Sequence, residues 1–413
     1  MKFKRVAGAV LAQLLGTLAL GAQEFGMEDL VKQVSSRNYQ VMDHALKVYQ
    51  AKDSVSAARG ELIPSLNIWR IIGAVLDPVN FISQDFAPFL VPANWFRLRQ
   101  AESLYLAEKE GYRAVWANQL YSSKTLYLQI LSDSTLATMI EGLRSHMIEL
   151  RDFAIKRERL GGLRPGLASD LRIRILTLDD DLKRLHHLLG EEQRLLLYDL
   201  SLPLGTLISL RPVALPNLLE SKILDLREIE WRVLASSPEI LQHIHLLHSL
   251  SRIKGEVRYS LLGLASNHRG VAGGVFDSYP IPSGLGFASA PGLRIAEAER
   301  QRFVIQLRGI EETMRRDLSS VVSLHNLEIE AYPGLIERSQ LANNALVLAK
   351  KRLMFGEDLD VQFLGETFKT YLTAESALFQ AQYRFASFRE RLMRLTFNGD
   401  YQLEPAVLES RRP

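Results

Sequence analysis

The stretch 101–161 runs for some sixty residues without a proline, and 296–356 runs equally far with only Pro333. Both are dense in Ala, Leu, Glu, Arg and Gln, residues that lose little side-chain freedom in a helix. Sixty helical residues reach roughly 90 Å at 1.5 Å per residue. Helices in ordinary globular domains run about 8–20 residues, so such a domain has no room for one this long. Apolar periodicity sustained over that length points to a coiled coil or a tube of helices.

Each stretch closes on a glycine, and the two glycines, Gly161 and Gly356, stand 195 residues apart. At that offset AIKRERLG (154–161) lies over AKKRLMFG (349–356), matching Ala, Lys, Arg and Gly in register. The same offset puts Ala101-Glu102 on Ala296-Glu297 and SAARGEL (56–62) on SRIKGEV (251–257). Three stretches keeping one offset point to a duplicated unit. Beyond each glycine the helical pattern resumes, over 170–200 and about 359–395. The chain therefore turns near the glycine and comes back as an antiparallel helix. Lys350, Lys351 and Arg352 suit the negative end of the outgoing helix, and Glu357 and Asp358 the positive start of the returning one. At the first turn, Ser169 before Asp170 offers an N-cap.

Upstream of each long stretch the order of parts is also shared. A helical segment (27–62 or 226–255) precedes a β-type segment, a loop rich in turn residues and a second β-type segment. The expected strands are 64–72 and 86–91 in the first unit, 257–266 and 285–290 in the second. Pro88 and Pro92 weaken the second of these, because proline removes a ladder donor. The fold class expected is mostly α with a small β part, in two tandem repeats. Each repeat is a β-hairpin plus a long antiparallel α-helical hairpin. The boundaries are 23–215 with its tip at 161–169, 216–399 with its tip at 356–358, and a tail at 400–413. Two strands alone are marginal in water, so the four of one chain must pair together or with other copies.

The first 22 residues read as a secretory signal peptide: basic Lys2, Lys4 and Arg5, an apolar run to Leu20, then small residues at Gly21 and Ala22. No later run of about 18 apolar residues offers a transmembrane helix. With no cysteine in the chain, disulfides, thiolate metal sites and a lipid anchor on a terminal cysteine are excluded. A net charge of +3 over 97 charged side chains, without a basic tract, argues against nucleic acid as a partner. No nucleophile elbow, P-loop or dinucleotide fingerprint is present, so nothing supports an enzyme or a cofactor. His243, His245 and His248 lack an evident further ligand, and Asp179–Asp181 lacks the Gly and Glu of a calcium loop. Both read as ordinary helix faces.

Signal peptide, twin repeats, hairpins and an Arg-x-x-x-Gly at each helix turn together resemble the outer membrane efflux protein (TolC) family. Arg157-x-x-x-Gly161 and Arg352-x-x-x-Gly356 match its turn motif. ELIPSL (61–66), LASSPEI (234–240) and the Ala-punctuated run 370–392 resemble its junction, repeat start and returning helix. The resemblance covers nearly the whole chain after the signal, and the ordered set of motifs carries it. It implies a homotrimer with a 12-strand outer-membrane barrel set in lipid and a periplasmic α-barrel below. It also implies docking on a periplasmic adaptor and an inner-membrane transporter at the tips, through Arg157, Gly161, Arg352 and Gly356. Asp170 and Asp360 are the nearest counterparts of the acids that constrict the pore in some members. One departure is Glu158 and Leu353, where the family often has an aromatic after the Arg. An exported coiled-coil scaffold binding partners in the periplasm is the alternative.

Overall fold

The computed structural model describes residues 23–63, 88–162, 165–260, 289–355 and 361–402. Its elements in chain order are β1 (Gln23–Phe25), α1 (Met27–Arg37), α2 (Tyr39–Gly60), α3 (Pro92–Arg159), α4 (Leu167–Asp199), β2 (Ile208–Leu210), α5 (Leu226–Ser236), α6 (Pro238–Ser260), α7 (Ser289–Met354) and α8 (Val361–Thr396). The order 11-residue helix, helix of 22 or 23, helix of 68 or 66, helix of 33 or 36 occurs twice. Among the described residues no helix is long and apolar enough to cross a membrane.

The local breaks follow from particular residues. Asn38 separates α1 from α2 in extended conformation, and its buried amide donates to the Asp199 carbonyl at 2.7 Å. Ser237 separates α5 from α6; its Oγ accepts the Ile240 amide at 3.3 Å, and Pro238 follows with φ already set for a first helical residue. The long stretches expected at 101–161 and 296–356 are helical from further upstream, at Pro92 and Ser289.

The expected strands fare differently. Segment 64–72 lies outside the described residues. Of 86–91, the described part is a 3-10 turn at Pro88–Leu90 that leads directly into α3. Pro88 and Pro92 explain this: neither can donate to a ladder, and Pro92 suits a helix start. Of 257–266, Val257–Ser260 finish α6, because helix once nucleated adds residues cheaply and Gly255 costs only about 1 kcal/mol. Of 285–290, Ser289 and Ala290 open α7, with Pro291 in its first turn, where its missing N–H is not needed. Among the described residues the strands are β1 and β2, paired parallel with Gln23 opposite Ile208.

Two compact units divide the chain, and each combines segments of both repeats: 1–38, 119–225 and 321–392 in the first, 39–118, 226–320 and 393–413 in the second. In the second unit, Val55 and Ala58 of α2 pack on Leu98 of α3. Phe303 of α7 meets Leu250 of α6. Arg113 and Arg394 lie 5.3 and 5.9 Å from the centre of the Phe397 ring.

The first unit is a row of four helices in the order α4, α3, α8, α7, with alternating directions. Between α4 and α3, Gln129 Nε2 donates to Glu192 Oε1 at 2.6 Å, and Arg144 pairs with Asp179. Between α3 and α8, Lys124 Nζ meets Glu390 Oε2 at 3.0 Å and the Thr135 and Tyr383 hydroxyls are 3.3 Å apart. Between α8 and α7, Ser339 donates to Glu375 at 2.5 Å, Gln382 to the Tyr332 hydroxyl at 2.6 Å, and Arg384 grips Glu328 through two nitrogens. Toward the turn all four helices contribute to one apolar core, which includes Leu150, Leu171, Leu353 and Phe368.

The segment joining the repeats is tied to the same unit. The Tyr127 hydroxyl, fully buried, lies 2.9 Å from the Phe25 carbonyl and 2.6 Å from that of Arg211. It thereby clasps the two strands together at the C-terminal end of the β1–β2 pair. Asn326 holds the Leu224 backbone from both sides, accepting its amide at 2.9 Å and donating to its carbonyl at 3.0 Å.

Candidate interaction site: the helical tip and the edges of the row

At the first tip the Arg-x-x-x-Gly spacing has a geometric cause. The Gly162 amide donates to the Arg157 carbonyl at 2.9 Å, and the Gly161 amide to that of Glu158 at 3.1 Å. This pair of bonds is a Schellman turn, which requires a left-handed residue four positions after the one whose carbonyl closes it. Gly161 supplies it, with φ +70°. The Arg157 guanidinium lies 5.5 Å from the centre of the Phe153 ring, and its stem runs beneath Gly162. Its cation also sits in the last turn of α3, where the helix dipole favours it.

The returning helix starts at Leu167, not at Asp170. Its N-cap residue is Gly166, at φ +110° and without a side chain to offer, while Ser169 falls inside the first turn. Glu158 takes over the capping role: its Oε1 accepts the Ala168 amide at 2.9 Å. Asp170 lies in the first turn, half-buried, where an acid is favoured. One turn on, Arg174 is laid against α8, so closely that a Cβ on Gly365 would fall 1.9 Å from its Cζ.

At the second tip Arg352 is exposed in the last turn of α7, and Leu353, the counterpart of Glu158, is fully buried in the core. Thus the two residues that depart from the family pattern serve a cap and a core. Gly356 and Asp360 lie outside the described residues. The residues just before the glycine positions, Leu160 and Phe355, are 83% and 84% exposed, so each tip presents an apolar side chain to solvent. The sequence reading did not single out Leu160 or Phe355, although their shared offset of 195 could have done so.

The row also has two outer edges, α7 and α4. Along α7, His325, Tyr332, Ser339, Leu346 and Leu353 recur every seven residues and are buried. On the opposite face, Leu327, Gly334, Leu341, Leu348 and Phe355 recur at the same period and are exposed. Along α4 the exposed face carries Ile173, Leu176, Leu188, Leu195 and Tyr198. Isolated exposed apolar residues are ordinary; a stripe at heptad spacing is not.

Asp179 pairs with Arg144 and Asp180 with Lys183. Among the described residues no three of His, Asp or Glu are placed to hold a metal ion.

The sequence matches no protein-family model and no curated protein. In structure the chain is similar to the outer-membrane channel OprN, with TM-score 0.72 and 14% identity, over 91% of this chain and 91% of that one. It is similar to the CmeC outer membrane channel of Campylobacter jejuni, with TM-score 0.70 and 12% identity, over 90% and 85%. It is similar also to the outer membrane protein VceC of Vibrio cholerae, with TM-score 0.70 and 13% identity, over 90% and 96%. The chain has the fold of these outer-membrane channels.

Proposed function

We propose that the protein is an outer-membrane exit duct of a tripartite efflux or type I secretion system. It is a passive conduit, not an enzyme, exported by the signal peptide at 1–22. In this reading three copies, each two repeats at 23–215 and 216–399, close a 12-strand barrel in the outer membrane. Their long helices form a tube reaching into the periplasm. The observation that carries the reading is the four-helix row whose outer helices keep apolar side chains exposed, at heptad spacing along α7. A row with two open edges is incomplete as a monomer, and a closed ring of copies removes both edges. The likeness to outer-membrane channels over nine-tenths of the chain supports the same reading.

The tips are the proposed docking points for a periplasmic adaptor and, through it, an inner-membrane transporter. Arg157, Gly161, Arg352 and Gly356 shape them, with Leu160 and Phe355 as the exposed apolar contacts. Asp170 and Asp360 are proposed at the pore constriction. The test is expression of the full chain in a bacterium with an outer membrane. The protein is expected in the outer-membrane fraction, and a cysteine placed within 73–85 or 267–284 is expected to label from outside intact cells. Recovery in the soluble periplasmic fraction, with those positions unlabelled, would favour the coiled-coil scaffold instead.

A further inference from the structure

We infer that Asp133 of α3 and Glu192 of α4 share one proton, which holds the half of α4 far from the tip against α3 and lets that seam open when it leaves. The two acids face each other where the long helices of the first repeat pack. Glu192 is 3% exposed. Its Oε1 accepts the Gln129 amide at 2.6 Å, but its Oε2 is buried and receives no N–H. An ionised carboxylate can only accept, so two of them side by side leave that oxygen without a donor. One proton on the pair supplies the missing O–H and removes the like-charge contact at the same time.

The groups around the pair offer no other remedy. Lys124, further along α3, directs its ammonium to Glu390 of α8. Arg194 of α4 pairs with its neighbour Glu191. Asp199, two turns on in α4, is a further acid, 3.4 Å from the Ser122 hydroxyl. Among the described residues no lysine, arginine or histidine pairs with Asp133 or Glu192. The second repeat differs at the matching place. Glu328 stands 195 residues after Asp133, and Arg384 grips it through two nitrogens. One repeat closes its hairpin there with a cation; the other sets a second acid opposite and closes it with a proton. Burial raises both acids, and the Asp133 charge lifts Glu192 further, to about 7 from 4.5. Once the seam opens, both ionise at ordinary carboxylate pH. Between about 4.5 and about 7 opening therefore releases one proton to solvent, and its equilibrium rises about tenfold per pH unit. Above about 7 the closed pair has already lost the proton and the rise stops.

The test is hydrogen exchange of the full chain in detergent, each rate divided by the pH-dependent chemical rate so that the opening equilibrium remains. Opening of 185–199 is expected to rise about tenfold per pH unit from about pH 5 to about pH 7 and then level off, while 167–175 stays level. Glu192→Gln, whose amide donates without titrating, is expected to flatten the rise. Asp133→Asn is expected to do the same, because Glu192 then has a permanent donor. A rise that survives Asp133→Asn places the proton on Glu192 through burial alone and overturns the sharing. A level response in the unaltered chain overturns the proton's hold on the seam. If the variants fail to fold, the infrared C=O stretch of a protonated carboxyl in the unaltered chain decides. Its loss as pH rises through about 7 supports the pair, and its absence at about pH 5 overturns it.

Discussion

The Glu158 carboxylate accepts the Ala168 amide at 2.9 Å, so the last turn of one helix caps the first turn of the next. With Gly166 in the N-cap position, no local side chain can satisfy that donor. Glu158→Ala is expected to cost about 1 kcal/mol, the usual size of a lost cap. Faster hydrogen exchange confined to the start of α4 is the readout. Glu158→Gln, which keeps an acceptor oxygen, is expected to retain much of the protection.

Gly161 occupies a left-handed conformation with nothing within 4 Å of where a Cβ would sit. Gly161→Ala therefore meets no clash and bears only the conformational cost, about 1–2 kcal/mol. At Gly162 an added Cβ would come 3.5 Å from Arg157 Cδ, an ordinary contact, and φ there is not left-handed. Gly162→Ala should lower the thermal midpoint distinctly less than Gly161→Ala. Equal losses would contradict the Schellman account of the motif.

Lys124 is 1% exposed and Glu390 8%, and their 3.0 Å pair joins a helix of each repeat. Lys124→Met removes the ammonium 3.0 Å from a buried carboxylate, which is expected to cost up to about 3–5 kcal/mol. The double change Lys124→Met with Glu390→Leu should recover most of that loss. A double-mutant comparison of unfolding midpoints in denaturant measures it; a double variant no better than the single would show the pair is not the cause.

Glu192 is buried between α4 and α3, beside Asp133. Burial first, and then the neighbouring Asp133 carboxylate, push it up to about 7 from an ordinary 4.5. Burial likewise raises Asp133. An acid whose folded pKa is raised holds its proton longer in the folded state than in the unfolded one. Stability from this site therefore declines as pH rises from about 4.5 through about 7. Melting temperature is expected to fall between pH 6 and pH 8, and Glu192→Gln is expected to remove that part of the slope and melt higher at pH 8. An unchanged slope in the variant would place the pH dependence elsewhere.

The long helices and the first Arg-x-x-x-Gly turn were legible because helix propensity and glycine chemistry act locally. The positions 88–91, 257–260 and 289–290 were misread as strand because short apolar segments have no decisive period, and there the proline placement and helix propagation win. The β1–β2 pair was invisible because three-residue strands show no alternation. The Glu158 cap was missed because its partner lies ten residues on, across a turn. The exposed stripe of α7 could not be told from the buried one in sequence. The line through Leu327 and Leu341 and the line through Leu346 and Leu353 both repeat every seven residues, and only packing shows which has a partner.

The most direct test of the duct is the native mass of the particle extracted by detergent from the outer-membrane fraction. Three chains of the 413-residue protein, less the signal, are predicted in one heat-dissociable assembly. A single chain, recovered in aqueous buffer without detergent, would contradict the account.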